Sequence, residues 1–345
     1  MRPSHLKQVL KEQLEKGSNP DKEFGSLFVW GPPGIGKSRI VEDVADELDV
    51  GCIDFRLVLC DPTDLRGLPM PYTNLKTKEQ SVQWIPPDEL PREGKGFLFF
   101  DDFPMAPPLV QGAAYQIAIR PHQLGPYELP EGWVIIAAGN RIEDRSLAHP
   151  IPKALANRFR HIELECNIND WTEWALWHNI DPNIIGFLKF RDNLLFSFDP
   201  NSSENAFPTP RSWEAASRSL HLPKGLLASV MEGTVGKGAT AEFMSFLKVQ
   251  TELPDINEIL NGKNKDYCPT RTDLKFALVS ALAARASGLK QFENLLKYSY
   301  VLPKEFCVLL VTMMIARNEK VIAGCPSMDK WAKDHSEIIL TKRTI

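Results

Sequence analysis

Leu27-Phe28-Val29-Trp30-Gly31-Pro32-Pro33-Gly34-Ile35-Gly36-Lys37-Ser38 runs from an apolar stretch into a glycine-rich turn, and SRIVEDVADEL (38–48) follows it. LFVW (27–30) is short and apolar throughout, as expected of a strand covered on both faces. Residues 31–38 fit GxxxxGK[ST] between that strand and a predicted helix, the context that gives the pattern its meaning. Glycines let the backbone curl so that its amides point at phosphate oxygens. The helix beginning near Lys37 adds its positive end to the same anion. Lys37 then reaches the β- and γ-phosphates as a point charge, and the Ser38 hydroxyl ligates Mg²⁺. The predicted cradle is Gly31, Pro32, Pro33, Gly34, Ile35, Gly36, Lys37 and Ser38, with Arg39 in the first helical turn.

Working outward, residues 5–16 predict a helix with Leu6, Val9, Leu10 and Leu14 on one stripe, and SNPDKEFG (18–25) a turn-rich approach to the first strand. CIDFRLVL (52–59) reads as a second buried strand, FLFF (97–100) a third, WVIIAAG (133–139) a fourth and HIELE (161–165) a fifth. Strands alternating with helices predict an α/β fold with a mostly parallel five-stranded sheet. Beyond about Cys166 only helical patterns remain, interrupted by the polar loop FDPNSSENAFPTP (198–210). The expected division is therefore a nucleotide-binding α/β domain over 1–165, a helical lid over 166–222 and a further helical region over 223–345.

The third strand ends in Asp101 and Asp102. A buried strand delivers its carboxyl-terminal end to the crest of the sheet, where ligands bind in open α/β folds. Asp101 is expected beside the Ser38-bound Mg²⁺ and Asp102 against the attacking water. Asn140 closes the fourth strand and is placed to hold the water or the γ-phosphate, although Asn is also a common turn former. Arg158 precedes the fifth strand, with Arg160 two residues on. Thr209-Pro210 reads as N-cap and first helical residue, so Arg211 starts a lid helix.

Composition bounds the function classes. At about 150 residues per domain, 345 residues allow two or three domains. A hydrophobic fraction of 43% with 24% charged residues excludes wholesale disorder, and 21 Gly and 27 Pro without period exclude a collagen-like chain. The net charge of −4 supplies no global basic field for nucleic acid. No apolar run reaches the roughly 20 residues of a membrane span, and the charged start lacks a signal peptide's apolar core. The six cysteines are scattered without CxxC, and His122, His149 and His161 lack ligand spacing, so a reduced, cytoplasmic protein without structural zinc is expected. Trp171, Trp174 and Trp177 read as a core stripe, Trp30 as core, and the loop 72–95, with Lys76, Lys78 and Lys95, as a solvated charge run whose alternative role is a substrate contact.

Together GPPGIGKS (31–38), FLFFDD (97–102), AAGN (137–140), ALANRF (154–159) and TPRSW (209–213) resemble the AAA+ ATPases, and within them the MoxR-like branch. DPTDLRGLPMPY (61–72), WIPPDELP (84–91) and APPLVQGAAYQI (106–117) look like the same branch, so the resemblance covers about residues 25–218. It implies a chaperone-like hexameric ring that hydrolyses ATP with Mg²⁺ between subunits and remodels or activates a partner protein. Partners in that family often carry a von Willebrand A-type domain. It further implies that Asp101 orients the metal, that Asn140 is the sensor, that Arg158 reaches the neighbour's γ-phosphate and that Arg211 reports nucleotide state from the lid. The family usually has Glu where this chain has Asp102, one methylene shorter, which predicts slow hydrolysis. The competing readings are a nucleic-acid motor of the same superfamily and a nucleotide-dependent binding module.

Overall fold

The computed structural model describes residues 1–17, 25–118, 122–144 and 148–335. The approach segment 18–24 lies outside the described residues. Two compact units divide between Glu165 and Cys166.

In the first unit, α1 (Pro3–Gly17) precedes β1 (Ser26–Trp30) and α2 (Lys37–Leu48). Then come β2 (Gly51–Arg56), α3 (Pro62–Arg66), the hairpin strands β3 (Leu68–Thr73) and β4 (Gln80–Ile85), and β5 (Gly96–Asp101). The unit continues through α4 (Pro108–Ile117), a short ribbon of β6 (Gln123–Leu124) and β7 (Tyr127–Glu128), β8 (Trp133–Gly139), α5 (Lys153–Ala156) and β9 (Phe159–Glu163). The main sheet has five strands in the order β2-β5-β8-β1-β9, every neighbouring pair parallel. The expected α/β class with a parallel five-stranded sheet is what forms.

Alternation along the strands explains why the sheet is covered twice. Phe28, Leu98, Phe100, Ile135 and Ala137 join one core with Phe103, Val110 and Phe159. Their neighbours Leu27, Val29, Phe97, Phe99 and Ile136 are equally buried on the opposite face, on the side where α1 and α2 pack. Each large side chain so buried contributes about 1.5–3 kcal/mol, which makes β1, β5 and β8 a rigid platform for whatever their ends carry. Met1 and Glu165 also meet, the Glu165 amide donating to the Met1 carbonyl at 2.9 Å.

Three sequence expectations change. The second strand is not buried: β2 is an edge strand whose residues are mostly exposed or half-buried. It ends at Arg56 rather than at residue 59, because Arg56 pairs with Asp101, the last rung of β5, and Leu57–Leu59 turns into a short 3₁₀ helix. The fifth strand begins two residues early, at Phe159, because Phe159 is buried and registers with Ser26. Residues 68–85, expected to be loop from residue 72, form an antiparallel ribbon. Pro69 and Pro71 hide it in the sequence: prolines are confined to strand edges with the donor-less side outward.

The second unit is helical among the described residues: α6 (Ile168–Trp177), α7 (Pro182–Phe190), α8 (Pro210–Ser217), α9 (Lys224–Val235), α10 (Lys237–Val249), α11 (Ile256–Leu260), α12 (Thr272–Arg285), α13 (Gly288–Ser299), α14 (Lys304–Ala323) and α15 (Met328–Asp334). Residues on both sides of position 222 share one core, with Phe187 and Trp213 against Phe243. The Trp213 indole donates to the Leu194 carbonyl at 2.7 Å, which satisfies its buried N–H. The tryptophan stripe on α6 is only partly core. Trp171 is buried, but Trp177 is 58% exposed, because a three-residue repeat drifts around a helix of 3.6 residues per turn. No helix among the described residues is long and apolar enough to cross a membrane.

Candidate nucleotide site

The glycine turn leaves β1 with the Gly31 amide donating to the Gly139 carbonyl at 3.3 Å, so the loop is tied to the end of β8 from its first residue. Gly34 (φ 76°) and Gly36 (φ 103°) occupy the left-handed region that side chains avoid. Gly36 is the N-cap of α2 and no side chain caps that helix, which leaves first-turn amides for an outside acceptor. A Cβ placed on Gly36 would meet nothing within 4 Å. The turn is thus a backbone cradle open to an anion.

Lys37 is buried at 8% exposure. Its ammonium donates to the carbonyls of Gly31 (2.8 Å) and Pro32 (3.1 Å) and to Asn140 Oδ1 (2.8 Å). An ammonium has three N–H groups, and this cage accepts one with each oxygen. Ser38 Oγ donates to Asp101 Oδ2 at 2.7 Å, while Asp101 Oδ1 accepts from the Asp102 amide at 2.9 Å. Four of the expected residues from three elements therefore converge: Lys37 and Ser38 of α2, Asp101 of β5 and Asn140 after β8.

The convergence depends on a glycine that the sequence reading passed over. Asp102 has a left-handed backbone (φ 50°) and caps the 3₁₀ turn Phe103–Met105. That turn swings Pro104 against Gly139, where a Cβ would lie 2.1 Å from Pro104 Cδ. Without a side chain at Gly139, the ends of β5 and β8 come together and Asn140 faces Lys37. The AAGN run carried the signal, since glycine in a buried strand marks a close backbone approach.

The remaining candidates stand elsewhere. The Arg39 guanidinium is exposed and pairs with Asp43 at 2.9 Å along its own helix. Arg158 is half-buried, with its guanidinium 4.4 Å above the Tyr115 ring and Nη1 donating to the Ala154 carbonyl at 3.3 Å. Its Nε is buried without a hydrogen-bond partner. Arg160 is exposed on β9. Arg211 is exposed in the first turn of α8 in the second unit. There Thr209 and Ser212 form the expected N-terminal cap, the Ser212 amide donating to Thr209 Oγ1 at 3.0 Å.

One contact was not legible in the sequence. Trp30, half-buried and stacked on Phe28 at 4.2 Å, donates from its indole N–H to His161 Nδ1 at 2.8 Å. His161 Nε2 then faces the Ala156 carbonyl at 2.8 Å, so the Nε2–H tautomer serves both contacts. A histidine with no ligand spacing thus joins the residue before the cradle to the helix before Arg158.

The donor set suits Mg²⁺ bound to a polyphosphate. Mg²⁺ uses one or two protein oxygens and completes its shell with phosphate and water, and Ser38 and Asp101 present a hydroxyl and a carboxylate in contact. Among the described residues, no group of three or more His, Cys, Asp or Glu is arranged to hold a metal by protein ligands alone.

No family model and no curated protein matches the sequence. Among solved structures, the chain is similar to the Thermotoga maritima RuvB Holliday junction branch migration motor, at 19% identity over 74% of each chain with a TM-score of 0.37. It is also similar to a putative ATPase from Cytophaga hutchinsonii, at 14% identity over 96% of this chain and 87% of that one, TM-score 0.35. Brucella abortus NtrX in complex with ADP matches at 15% identity over 69% and 65%, TM-score 0.33. These likenesses are distant, and the reading of the site rests on its own geometry.

Proposed function

We propose that the chain is a MoxR-like AAA+ ATPase, a cytoplasmic, chaperone-like ring that binds ATP and uses its hydrolysis to remodel or activate a partner protein. The observation that carries this reading is the meeting of Lys37 with Asn140 and of Ser38 with Asp101 at the mouth of an open glycine cradle.

The roles follow from what each atom can do. Cradle amides and the Lys37 ammonium receive the phosphates, the ammonium exchanging carbonyl partners for phosphate oxygens. Mg²⁺, when bound at Ser38 and Asp101, would neutralise charge on the transferring phosphoryl group. Asp101 is held for this task at both oxygens, by Ser38 Oγ and by the Asp102 amide. Asp102 is the group that orients the attacking water and accepts its proton, and Asn140 steadies the water from the opposite strand. In the hexamer that the resemblance implies, Arg158 of one subunit completes the site of the next. Its stacking on Tyr115 is then the resting position of that finger. Arg211 reads nucleotide state from a lid spanning 166–222, and residues 223–345 serve assembly or partner contacts. A von Willebrand A-type protein is the partner that the resemblance suggests.

Titration calorimetry with ATP and Mg²⁺, paired with steady-state phosphate release, tests the reading. The wild type is expected to bind nucleotide and turn it over slowly, with Lys37→Ala losing binding. A wild-type protein that takes up no adenine nucleotide overturns it.

A further inference from the structure

A cavity of about 770 Å³ in the first unit lies outside the nucleotide cradle. Its walls include Ile53, Asp54, Phe55 and Arg56, four consecutive residues of β2. Successive strand residues point to opposite faces, so a cavity touching all four runs along the strand's backbone edge. That edge is open: β2 pairs only with β5, and no other strand joins it among the described residues. The opposite wall is the hairpin base, where Leu68, Met70 and Ile85 share one face by register. Leu59, Leu68, Met70 and Ile85 are each about half exposed or more, at 78%, 58%, 47% and 53%. Carboxylates rim the groove at Asp54, Asp64, Asp88 and Glu89, against two guanidiniums: Arg56, which pairs with Asp54 at 3.2 Å, and Arg92, which pairs with Asp88 at 3.8 Å. The rim's field is felt inside, because burial together with Asp64, Asp61 and Glu89 pushes the Cys60 thiol up.

An unpaired strand edge offers backbone hydrogen bonds, apolar walls offer side-chain pockets, and an acidic rim selects charge. We infer that the groove between β2 and the β3–β4 hairpin binds an extended segment of a partner protein, rich in lysine or arginine alternating with apolar residues, as a sixth strand on β2. The inference rests on the proposed function only in taking that segment to belong to the remodelled partner. In the added strand, alternate apolar side chains lie against Phe55, Leu59 and Met70, and the intervening cations meet Asp64, Asp88 and Glu89.

The test uses the full chain without nucleotide and a fluorescein-labelled eight-residue peptide alternating lysine with valine. Saturable anisotropy is expected, weakening as salt is raised. The peptide with glutamate for lysine, and one with two adjacent central prolines, should each bind roughly tenfold worse or more, since proline removes the donors a strand needs. Leu59→Lys and Glu89→Lys alter exposed positions and should weaken the lysine–valine peptide by a similar factor while keeping the wild-type melting curve. No saturable binding overturns the inference, as does equal binding of the proline peptide, which would mark charge attraction alone. Unchanged affinity in both variants also overturns it. So does loss of self-association in both variants without peptide, which would identify a second copy as the occupant. Lys37→Ala is measured in parallel and should bind the peptide as the wild type does. A wild type without ATPase activity but with intact peptide binding would sink the catalytic reading and leave the groove standing.

Discussion

Lys37 and Asn140, 103 positions apart in sequence, meet at 2.8 Å, ammonium to amide oxygen. The contact links the first helix after the glycine turn to the end of β8, so the proposed phosphate-binding cation and the proposed sensor share one hydrogen bond. Asn140→Ala should leave ATP affinity within a few-fold and lower turnover by about 10²-fold, the usual cost of losing one positioned polar group at a reacting centre. Calorimetry and phosphate release separate the two effects. A large loss of affinity with unchanged turnover would reassign Asn140 to ground-state binding.

In the proposed mechanism Asp102 sets the rate. Asp102→Asn should retain nucleotide and lose turnover by about 10²-fold or more, as a neutral amide cannot take the proton. Asp102→Glu restores the missing methylene and should raise turnover by roughly tenfold. If Asp102→Glu instead slows the enzyme, the left-handed backbone at Asp102 (φ 50°) already corrects for the short side chain.

Arg158 should matter between copies. Arg158→Ala is expected to bind ATP as the wild type does while hydrolysing it about 10³-fold more slowly. Mixing it with Lys37→Ala protein should restore part of the rate, because a Lys37→Ala subunit supplies the arginine that the intact cradle of its Arg158→Ala neighbour lacks. Undiminished hydrolysis in Arg158→Ala would pass the role to Arg160.

Gly139→Ala tests the geometry directly. The added Cβ would lie 2.1 Å from Pro104 Cδ, an overlap that must displace the Phe103–Met105 turn from the end of β8. Overpacking of this kind costs about 1–3 kcal/mol, read as a lower melting temperature. Turnover should also fall beyond what the stability loss explains.

Thiol chemistry gives a test that needs no nucleotide. Burial, with Glu42, Asp54 and Asp46 nearby, pushes the Cys52 thiol up to about 11. At pH 8 its thiolate fraction is then roughly a hundredfold below that of an ordinary cysteine. Iodoacetamide should modify Cys52 slowly in the folded protein and at the usual rate in denaturant, as followed by peptide mass spectrometry.

Sequence foretold those parts of the molecule governed by local patterning. The strand–turn–helix around Lys37 was legible because glycine spacing, an apolar run and a helical period coincide within a few residues. The paired acids after FLFF and the Thr209 cap were legible for the same reason. Edge status was not, because β2 looks apolar and only the strand order reveals its outer side. The hairpin was masked by Pro69 and Pro71, and the need for Gly139 arises from Pro104, a neighbour in space that no spacing rule announces. The stacking of Arg158 on Tyr115 likewise depends on how α4 meets the turn before β9.

The two prolines of β3 carry a consequence for the protein's behaviour at high concentration. A solvent-facing ribbon showing Leu68, Met70, Tyr72 and Val82 would ordinarily invite copies to stack strand upon strand into insoluble arrays. Pro69 and Pro71 blunt one rim of that ribbon, so uncontrolled polymerisation along it is interrupted at its first step.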